Sequence, residues 1–268
     1  MAAPLSQTAP GTPWLLTILA GGVCTTLCWA VEQYCGEPPQ WVKAAQWIPA
    51  ILLVTASMHW LDLCWPKSDG HIPMILLAVS IWIAGKPEKQ IAALGTVLTW
   101  LILGLFGMVF FTGFREISPE SLGHRWTVPD PVLLAVLLVP AMDRRKVPGA
   151  WILGAAFSIL VQGVLSGPIP AAPFWELGRS LSLPGTSERF ESLIAMGVTL
   201  STCLFQAKLL AGKIWSAGAA AGILYVLGWY PGGEILAVTA ITGWVILPLS
   251  AELKKYSKNV KKWLTNGN

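Results

Sequence analysis

The chain has 268 residues, of which 54% are hydrophobic and only 12% are charged, and its formal net charge is +4. Soluble domains carry roughly 25% charged residues, so this composition excludes a water-soluble protein. Five of the 18 basic residues lie in the last 15 positions, and no basic patch is interleaved with aromatic residues. The weak positive charge therefore does not indicate nucleic-acid binding.

Nine stretches of 12 or more residues without Asp, Glu, Lys or Arg follow one another before residue 252. Lipid cannot hydrogen-bond the backbone, so each stretch has to satisfy its own N–H and C=O groups as a helix. We therefore predict an all-α fold, a polytopic membrane bundle of about nine transmembrane helices. The predicted domains are a transmembrane domain over residues 1–251 and a basic cytoplasmic tail over residues 252–268.

The predicted spans differ in length. A helix needs about 20 residues to cross the hydrocarbon core. Ile72–Gly85 and Pro131–Met142 are shorter, so each taken alone also suits a re-entrant or interfacial segment. In chain order the predicted spans are Trp14–Val31, Ala44–Leu61, Ile72–Gly85, Ile91–Phe114, Pro131–Met142, Val147–Ala172, Ser192–Ala211, Ile214–Tyr230 and Ile235–Ala251.

The placement of basic residues supports the count of nine. With the N-terminus outside, 13 of the 18 basic residues fall in inside segments and five fall outside. Omitting either short span would put Arg144–Lys146 and the lysine-rich tail on the opposite side from Lys43. Because inside loops are enriched in Lys and Arg, we predict a cell-membrane protein with its N-terminus outside and its C-terminus in the cytoplasm.

Two features of the C-terminal third indicate packing and surface attachment. Gly218 and Gly222 have the small-xxx-small spacing of a close helix-packing face. The tail suits a cytoplasmic helix lying against anionic lipid, since it carries five lysines. These are Lys254, Lys255, Lys258, Lys261 and Lys262.

No catalytic constellation is present in the sequence. The three histidines, His59, His71 and His124, are scattered, and the five cysteines complete no tetrahedral metal-ligand set. Glycine-rich phosphate loops and the common hydrolase motifs are also missing. We therefore expect a protein that is not an enzyme, with no metal and no cofactor.

The first candidate ligand site is the segment Thr127–Pro131. Pro129 and Pro131 interrupt a regular helix there, and Asp130 adds a carboxylate at the edge of the shortest span. Proline-interrupted spans are the sequence sign of a transporter binding site near the bilayer midplane. The alternative is a turn that contains two prolines. We take Asp130 and Pro129 as candidate ligand-binding residues.

The second candidate segment covers residues 173–191. Its charges alternate in sign, and Glu176 and Arg179 are three apart, which lets them pair on a helix. This pattern predicts an amphipathic element on the outer membrane face, which either caps an extracellular vestibule or connects two spans. Glu176 and Arg179 are candidate ligand-binding residues. Glu188, Arg189 and Glu191 are taken as a structural loop motif.

The sequence PFWELGRSLSLPGTSERFESL resembles a conserved segment of the endospore germination permeases, which are multi-spanning germinant-receptor subunits of the amino acid–polyamine–organocation superfamily. Leu177 and Ser182 match that segment together with the charged residues at 176, 179, 188, 189 and 191. The stretch from 133 to 165 is similar to the sixth-to-seventh span region of the family, and residues 11–22 resemble the start of its second span. The resemblance covers about residues 11–251.

The resemblance implies ten spans in two inverted repeats of five. If Trp14–Val31 corresponds to the second span, this chain lacks the first, so a truncated inverted-repeat fold of nine spans is expected. In that superfamily the broken first and sixth spans build the ligand site. Asp130 lies near a position of the sixth span where the family often has a glutamate. Since the first span contributes to the ligand site, its absence weakens the expectation of ligand binding and, more strongly, of transport.

Three functions follow as hypotheses. The first is a germinant-receptor subunit of the inner spore membrane that takes part in nutrient sensing, with two receptor partners: a larger membrane subunit that has soluble domains, and a lipoprotein. It would respond to a small nutrient by shifting between helix packings. The second is a small secondary transporter of amino acids or similar solutes. The third is a degenerate paralogue kept for scaffolding.

Overall fold

The structure is a computed structural model. It describes residues 13–65, 68–118, 156, 159–164, 176–177, 180–181, 187–212 and 214–266. The described residues are almost entirely helical and contain no strand. The all-α prediction is therefore confirmed for this part of the chain.

The helices follow the predicted order of apolar segments. A 3-10 turn at Phe114–Glu116 follows α5, a helical stretch occupies residues 159–164, and a π-helical turn at Thr242–Ile246 joins α8 to α9. The helices are α1 (Pro13–Tyr34), α2 (Gln40–Ala45), α3 (Trp47–Cys64), α4 (His71–Ala84), α5 (Glu88–Gly113), α6 (Ser187–Leu210), α7 (Ile214–Val226), α8 (Gly233–Ile241) and α9 (Leu247–Asn266).

Among the residues that the structure describes, three helical segments are long and apolar enough to cross a membrane: Gln40–Asp62, Lys89–Glu116 and Ser192–Leu210. His71–Ala84 and Trp215–Val226 are shorter apolar helices. At 1.5 Å per residue, the 14 residues of α4 span about 21 Å, which is less than a hydrocarbon core of about 30 Å. The structure thus supports a helical membrane protein, and the predicted count of nine spans goes beyond these three.

Two predicted spans fall largely outside the described residues. Pro131–Met142 lies wholly outside them, and only residues 156 and 159–164 of Val147–Ala172 are described. The predicted break between membrane domain and tail at residue 251 is not a helix boundary, because α9 runs through it to Asn266. One α-helix therefore belongs partly to the last predicted span and partly to the basic tail.

The centre of the bundle is α3, which packs against α4, α6, α7 and α8. Ala50, Leu53, Val54 and Met58 lie along α3 and are fully buried. They form one hydrophobic core with Leu77 of α4 and with buried residues of α6, α7 and α8. Burial of such side chains contributes about 1.5–3 kcal/mol each in water, whereas between helices in lipid close packing supplies most of the stability.

In contrast, α5 exposes most of its surface. Val97, Trp100, Met108 and Phe111 are between 60% and 82% exposed. Soluble monomers rarely expose a contiguous apolar surface of this extent. The apolar side of α5 therefore indicates contact with lipid rather than with water.

The π-helical turn has a local cause in the sequence. Pro248 has no N–H, and its ring would clash with the carbonyl of Trp244 in a regular α-helix. The wider turn places the Leu247 N–H on the carbonyl of Thr242, five residues earlier. Gly243 of this turn lies against α3, since a Cβ added there would be 2.8 Å from Cγ of Pro49.

Candidate functional site

A polar cluster lies in the interior where α3, α4 and α6 meet. We call it the interhelical polar cluster (Ser57, Ser80, Cys203 and Gln206). The Gln206 amide donates from Nε2 to Oγ of Ser57 at 2.9 Å, and the Ser80 hydroxyl lies 3.0 Å from Oε1 of Gln206. Sγ of Cys203 is 3.5 Å from the same Ser80 hydroxyl.

The cluster also uses backbone carbonyls. The Ser57 hydroxyl donates to the carbonyl of Val54 at 2.6 Å, and the Ser80 hydroxyl lies 2.8 Å from the carbonyl of Leu76. A serine hydroxyl carries one proton, so Ser80 donates either to its own helix or to Gln206 at any moment. Ser80 can therefore replace its bond to Gln206 on α6 with a bond to Leu76 within α4, and its hydroxyl has an acceptor in either case.

Burial makes the cluster structurally important. Ser80 and Gln206 are fully buried, and Ser57 is 2% exposed. A buried amide or hydroxyl without a partner costs about 1–3 kcal/mol, which penalises any displacement of α6 that breaks these bonds. The arrangement therefore stabilises the observed packing of α6 against α3 and α4.

A second group of side chains lies where α3 and α7 end. We call it the helix-end cluster (His59, Trp60, Asp62, Tyr225 and Tyr230). The Tyr225 hydroxyl donates to Oδ2 of Asp62 at 2.5 Å, and the Trp60 indole donates to the Tyr230 hydroxyl at 3.1 Å. The His59 ring lies 4.9 Å from that of Tyr225 and 5.4 Å from that of Tyr230, measured between centroids.

Backbone groups hold the helix-end cluster in place. Nε2 of His59 lies 3.3 Å from the carbonyl of Trp229 in the segment after α7. Gly70, which precedes α4, has a φ of +76°, and a Cβ there would be 2.9 Å from the Tyr225 hydroxyl. Close approach to Tyr225 and the left-handed backbone both favour glycine at this position.

The helix-end cluster has the chemistry of a binding surface. It offers a carboxylate, an imidazole and three aromatic rings, and His59, Trp60 and Asp62 are only partly buried. Aromatic faces and a carboxylate attract cationic or polar groups of a ligand. Within the described part of the chain, no three His, Cys, Asp or Glu side chains come together to hold a metal ion.

Part of the 173–191 segment packs into the bundle. Leu177 is fully buried and Leu181 is 6% exposed, and they share a core with Val109 of α5 and Leu160. Gly113, at the end of α5, makes room for this contact, because a Cβ there would be 3.0 Å from Cδ1 of Leu181. Glu176, adjacent to Leu177, is half-buried.

The other sequence-predicted residues are distributed as follows. Asp130, Pro129 and Arg179 lie outside the described residues. The motif interpreted as a loop at 188, 189 and 191 is instead in the first turns of α6, which begins at Ser187 rather than at Ser192. The charge-free criterion placed the start of this helix too late, because charged residues fit the first turn of a helix that begins near the membrane surface.

Gly218 and Gly222 of α7 face α4. A Cβ added at Gly218 would lie 2.5 Å from Cδ1 of Ile81, and one at Gly222 would lie 3.2 Å from Cδ2 of Leu77. An open apolar groove of about 410 Å³ runs along the same contact. The two helices approach closely at these glycines.

Sequence reasoning missed both clusters. Gln206 is a polar residue within the predicted apolar span Ser192–Ala211, and this is the signal that the sequence offers for the interhelical polar cluster. Ser57 and Ser80 carry no such signal, because isolated serines are common in membrane helices. His59 and Asp62 are only three residues apart, yet Tyr225 and Tyr230 reach them from more than 160 residues away.

Comparison with known proteins does not assign the chain to a family, since no family model, no curated protein and no solved structure matches it. The fold and its exposed apolar surface therefore define the class. The described part of the chain is helical and contains three helices long and apolar enough to cross a membrane, which indicates a membrane protein.

Proposed function

We propose that this chain is an integral membrane subunit of a spore germinant receptor, resembling an amino-acid permease, that takes part in nutrient sensing. In this proposal it has nine spans derived from an inverted-repeat transporter fold, with the N-terminus outside and the C-terminus in the cytoplasm. Its partners are a membrane subunit with soluble domains and a lipoprotein. It acts by changing helix packing and not by catalytic turnover.

One observation carries the proposal. The 173–191 segment, which resembles the germination permeases, also contributes the buried Leu177 and Leu181 to a core with α5. A segment that links outer loops to the helix core can pass the presence of a ligand on to the bundle. The first turns of α6 continue this segment, and α6 carries Gln206 of the interhelical polar cluster.

The interhelical polar cluster supports the suggested mechanism. A ligand shifts a population only through different affinities for two states, so the protein needs two defined packings. The Ser80 hydroxyl lies 2.8 Å from the Leu76 carbonyl and 3.0 Å from Oε1 of Gln206, so it would keep an acceptor within α4 if α6 moved away. A receptor that senses without transport needs no continuous path through the bundle.

The test is deletion of the gene in the spore-forming host, followed by germination with a panel of single nutrients. We expect slower germination with at least one nutrient and unchanged germination with the others. Complementation with the intact gene should restore the response, whereas Gln206→Leu should restore it only in part. Unchanged germination with every nutrient would overturn the proposal.

Reconstitution separates sensing from transport. Purified protein in liposomes should bind the nutrient identified by the deletion without moving it across the bilayer. Accumulation of labelled solute inside the vesicles, at a rate that depends on the protein, would contradict the receptor assignment and identify a transporter.

A further inference from the structure

The C-terminal half of α9 is an amphipathic basic helix. Residues 252–266 contain five lysines and one glutamate, and the helix extends to Asn266. Lys255 pairs with Glu252 at 3.3 Å. With 3.6 residues per turn, the five lysines share one side of the helix. They are Lys254, Lys255, Lys258, Lys261 and Lys262.

The opposite side of α9 is apolar. Leu253 is 71% exposed and Tyr256 is 72% exposed, so other described parts of the chain leave them largely uncovered. In the sequence, Val260, Trp263 and Leu264 continue the same apolar spacing of three and four residues. An apolar face of this length in water is unfavourable, which calls for a partner that covers it.

The two helices that α9 contacts near the N-terminal part of the chain each carry an exposed aromatic residue. α9 packs against α1 and α2, whose Tyr34 and Trp41 are 61% and 53% exposed. Tyr and Trp are enriched at the headgroup level of membranes. α9 therefore leaves the bundle near this level, and the preceding π-helical turn is one of the few features at which helices bend readily.

The distribution of charge favours lipid over a second helix as the partner. The apolar residues also have a spacing of three and four, which suits a coiled-coil seam, but they cover only about two heptads. A paired seam is flanked by opposite charges, whereas the uncharged Ser257 and Asn259 flank this one. Lysines of a single sign opposite an apolar face match an anionic membrane surface.

We infer that the segment 252–266 of α9 is an anionic-lipid anchor that lies in the membrane interface, with Leu253 and Tyr256 toward the acyl chains and the lysines among the headgroups. The anchor holds the end of the last predicted span at the surface. The fraction of molecules in which the segment 252–266 is bound to the membrane therefore rises with the content of anionic lipid. This inference does not require the proposed receptor function.

The test uses the full chain with its five native cysteines replaced and one new thiol added, in lipid nanodiscs. Val260→Cys labels the apolar side, and Thr265→Cys is the matched control on the lysine side. The modification rate with a water-soluble maleimide is measured in pure phosphatidylcholine and with about a third phosphatidylglycerol. Since all five lysines are attracted to an anionic surface, the Val260→Cys thiol should react slower by a factor of roughly ten or more when anionic lipid is present.

Charge variants give the second measurement. Replacing the five lysines with Gln should abolish the protection by anionic lipid, whereas replacing them with Arg should preserve it. The Thr265→Cys thiol should react at similar rates in both lipids. Equal rates for Val260→Cys in both lipids would overturn the anchor. Protection that rises with protein concentration in detergent would overturn it too, and would identify a second protein helix as the partner.

Discussion

The side-chain amide of Gln206 on α6 donates to the hydroxyl of Ser57 on α3 at 2.9 Å, in a part of the bundle where both residues are buried. Between membrane helices such bonds are worth about 0.6 kcal/mol on average and at most about 1.7 kcal/mol. This bond, its continuation to Ser80, and the bond from the Trp65 indole to the Thr199 hydroxyl at 2.8 Å fix the register of α3, α4 and α6.

A double-mutant cycle tests that bond. We expect Gln206→Leu and Ser57→Ala to show a coupling of about 0.6 kcal/mol in the free energy of unfolding, measured with denaturant in detergent or bicelles. The control cycle pairs Gln206→Leu with Thr96→Ala, because Thr96 is exposed on α5 and bonds within its own helix. Strict additivity in the Ser57 cycle would show that the bond is not formed.

Gly218 should tolerate no side chain. Gly218→Ala places a methyl group 2.5 Å from Cδ1 of Ile81, and we expect a loss of about 1–3 kcal/mol in the free energy of unfolding. The matched control is Gly95→Ala on α5, where nothing lies within 4 Å, and helix propensity there favours alanine by up to about 1 kcal/mol. Ile81→Ala in the Gly218→Ala background should recover part of the lost stability. Equal effects of Gly218→Ala and Gly95→Ala on the free energy of unfolding would contradict the close approach of α7 and α4.

The Tyr225 hydroxyl should stabilise the helix-end cluster. Tyr225→Phe removes the donor to Asp62, and we expect a destabilisation of about 0.5–1.5 kcal/mol in thermal unfolding in detergent. Tyr256→Phe is the control, since Tyr256 is 72% exposed. In germination assays Tyr225→Phe should also alter the response to nutrient if this cluster contacts the ligand, whereas a change in stability alone would assign it a structural role.

Cys35 should react slowly with alkylating reagents. Burial, and to a smaller extent the Glu252 carboxylate, raise the pKa of the Cys35 thiol above its ordinary value of 9.0. The thiolate is the reactive form, so the rate of alkylation should reach half its maximum at a pH above 9.0. Glu252→Gln should move that midpoint downward, and an unchanged midpoint would mean that the two groups are not close. The measurement uses iodoacetamide on a chain in which the other four cysteines are replaced.

Much of the secondary structure could be predicted from the positions of apolar runs along the sequence. Charge-free apolar runs predicted helices at α1, α3, α4, α5, α6 and α7, since a backbone surrounded by lipid must bond internally. The helix boundaries were predicted less accurately than the helices themselves. α6 begins at Ser187 and not at Ser192, because charged residues can occupy the first turns of a membrane helix. The turn at Thr242–Ile246 depends on Pro248, which lies inside the charge-free run Ile235–Ala251 and interrupts its regular helix.

The sequence by itself determined the class of the protein: a chain with 12% charged residues and long apolar runs forms helices in a membrane, because both properties are local and additive along the chain. Only the tertiary structure decided which side chains meet. Ser57 and Gln206 are 149 residues apart, and Asp62 and Tyr225 are 163 apart. Such contacts depend on the rotation and register of each helix against its neighbours, and no local pattern of residues encodes these quantities.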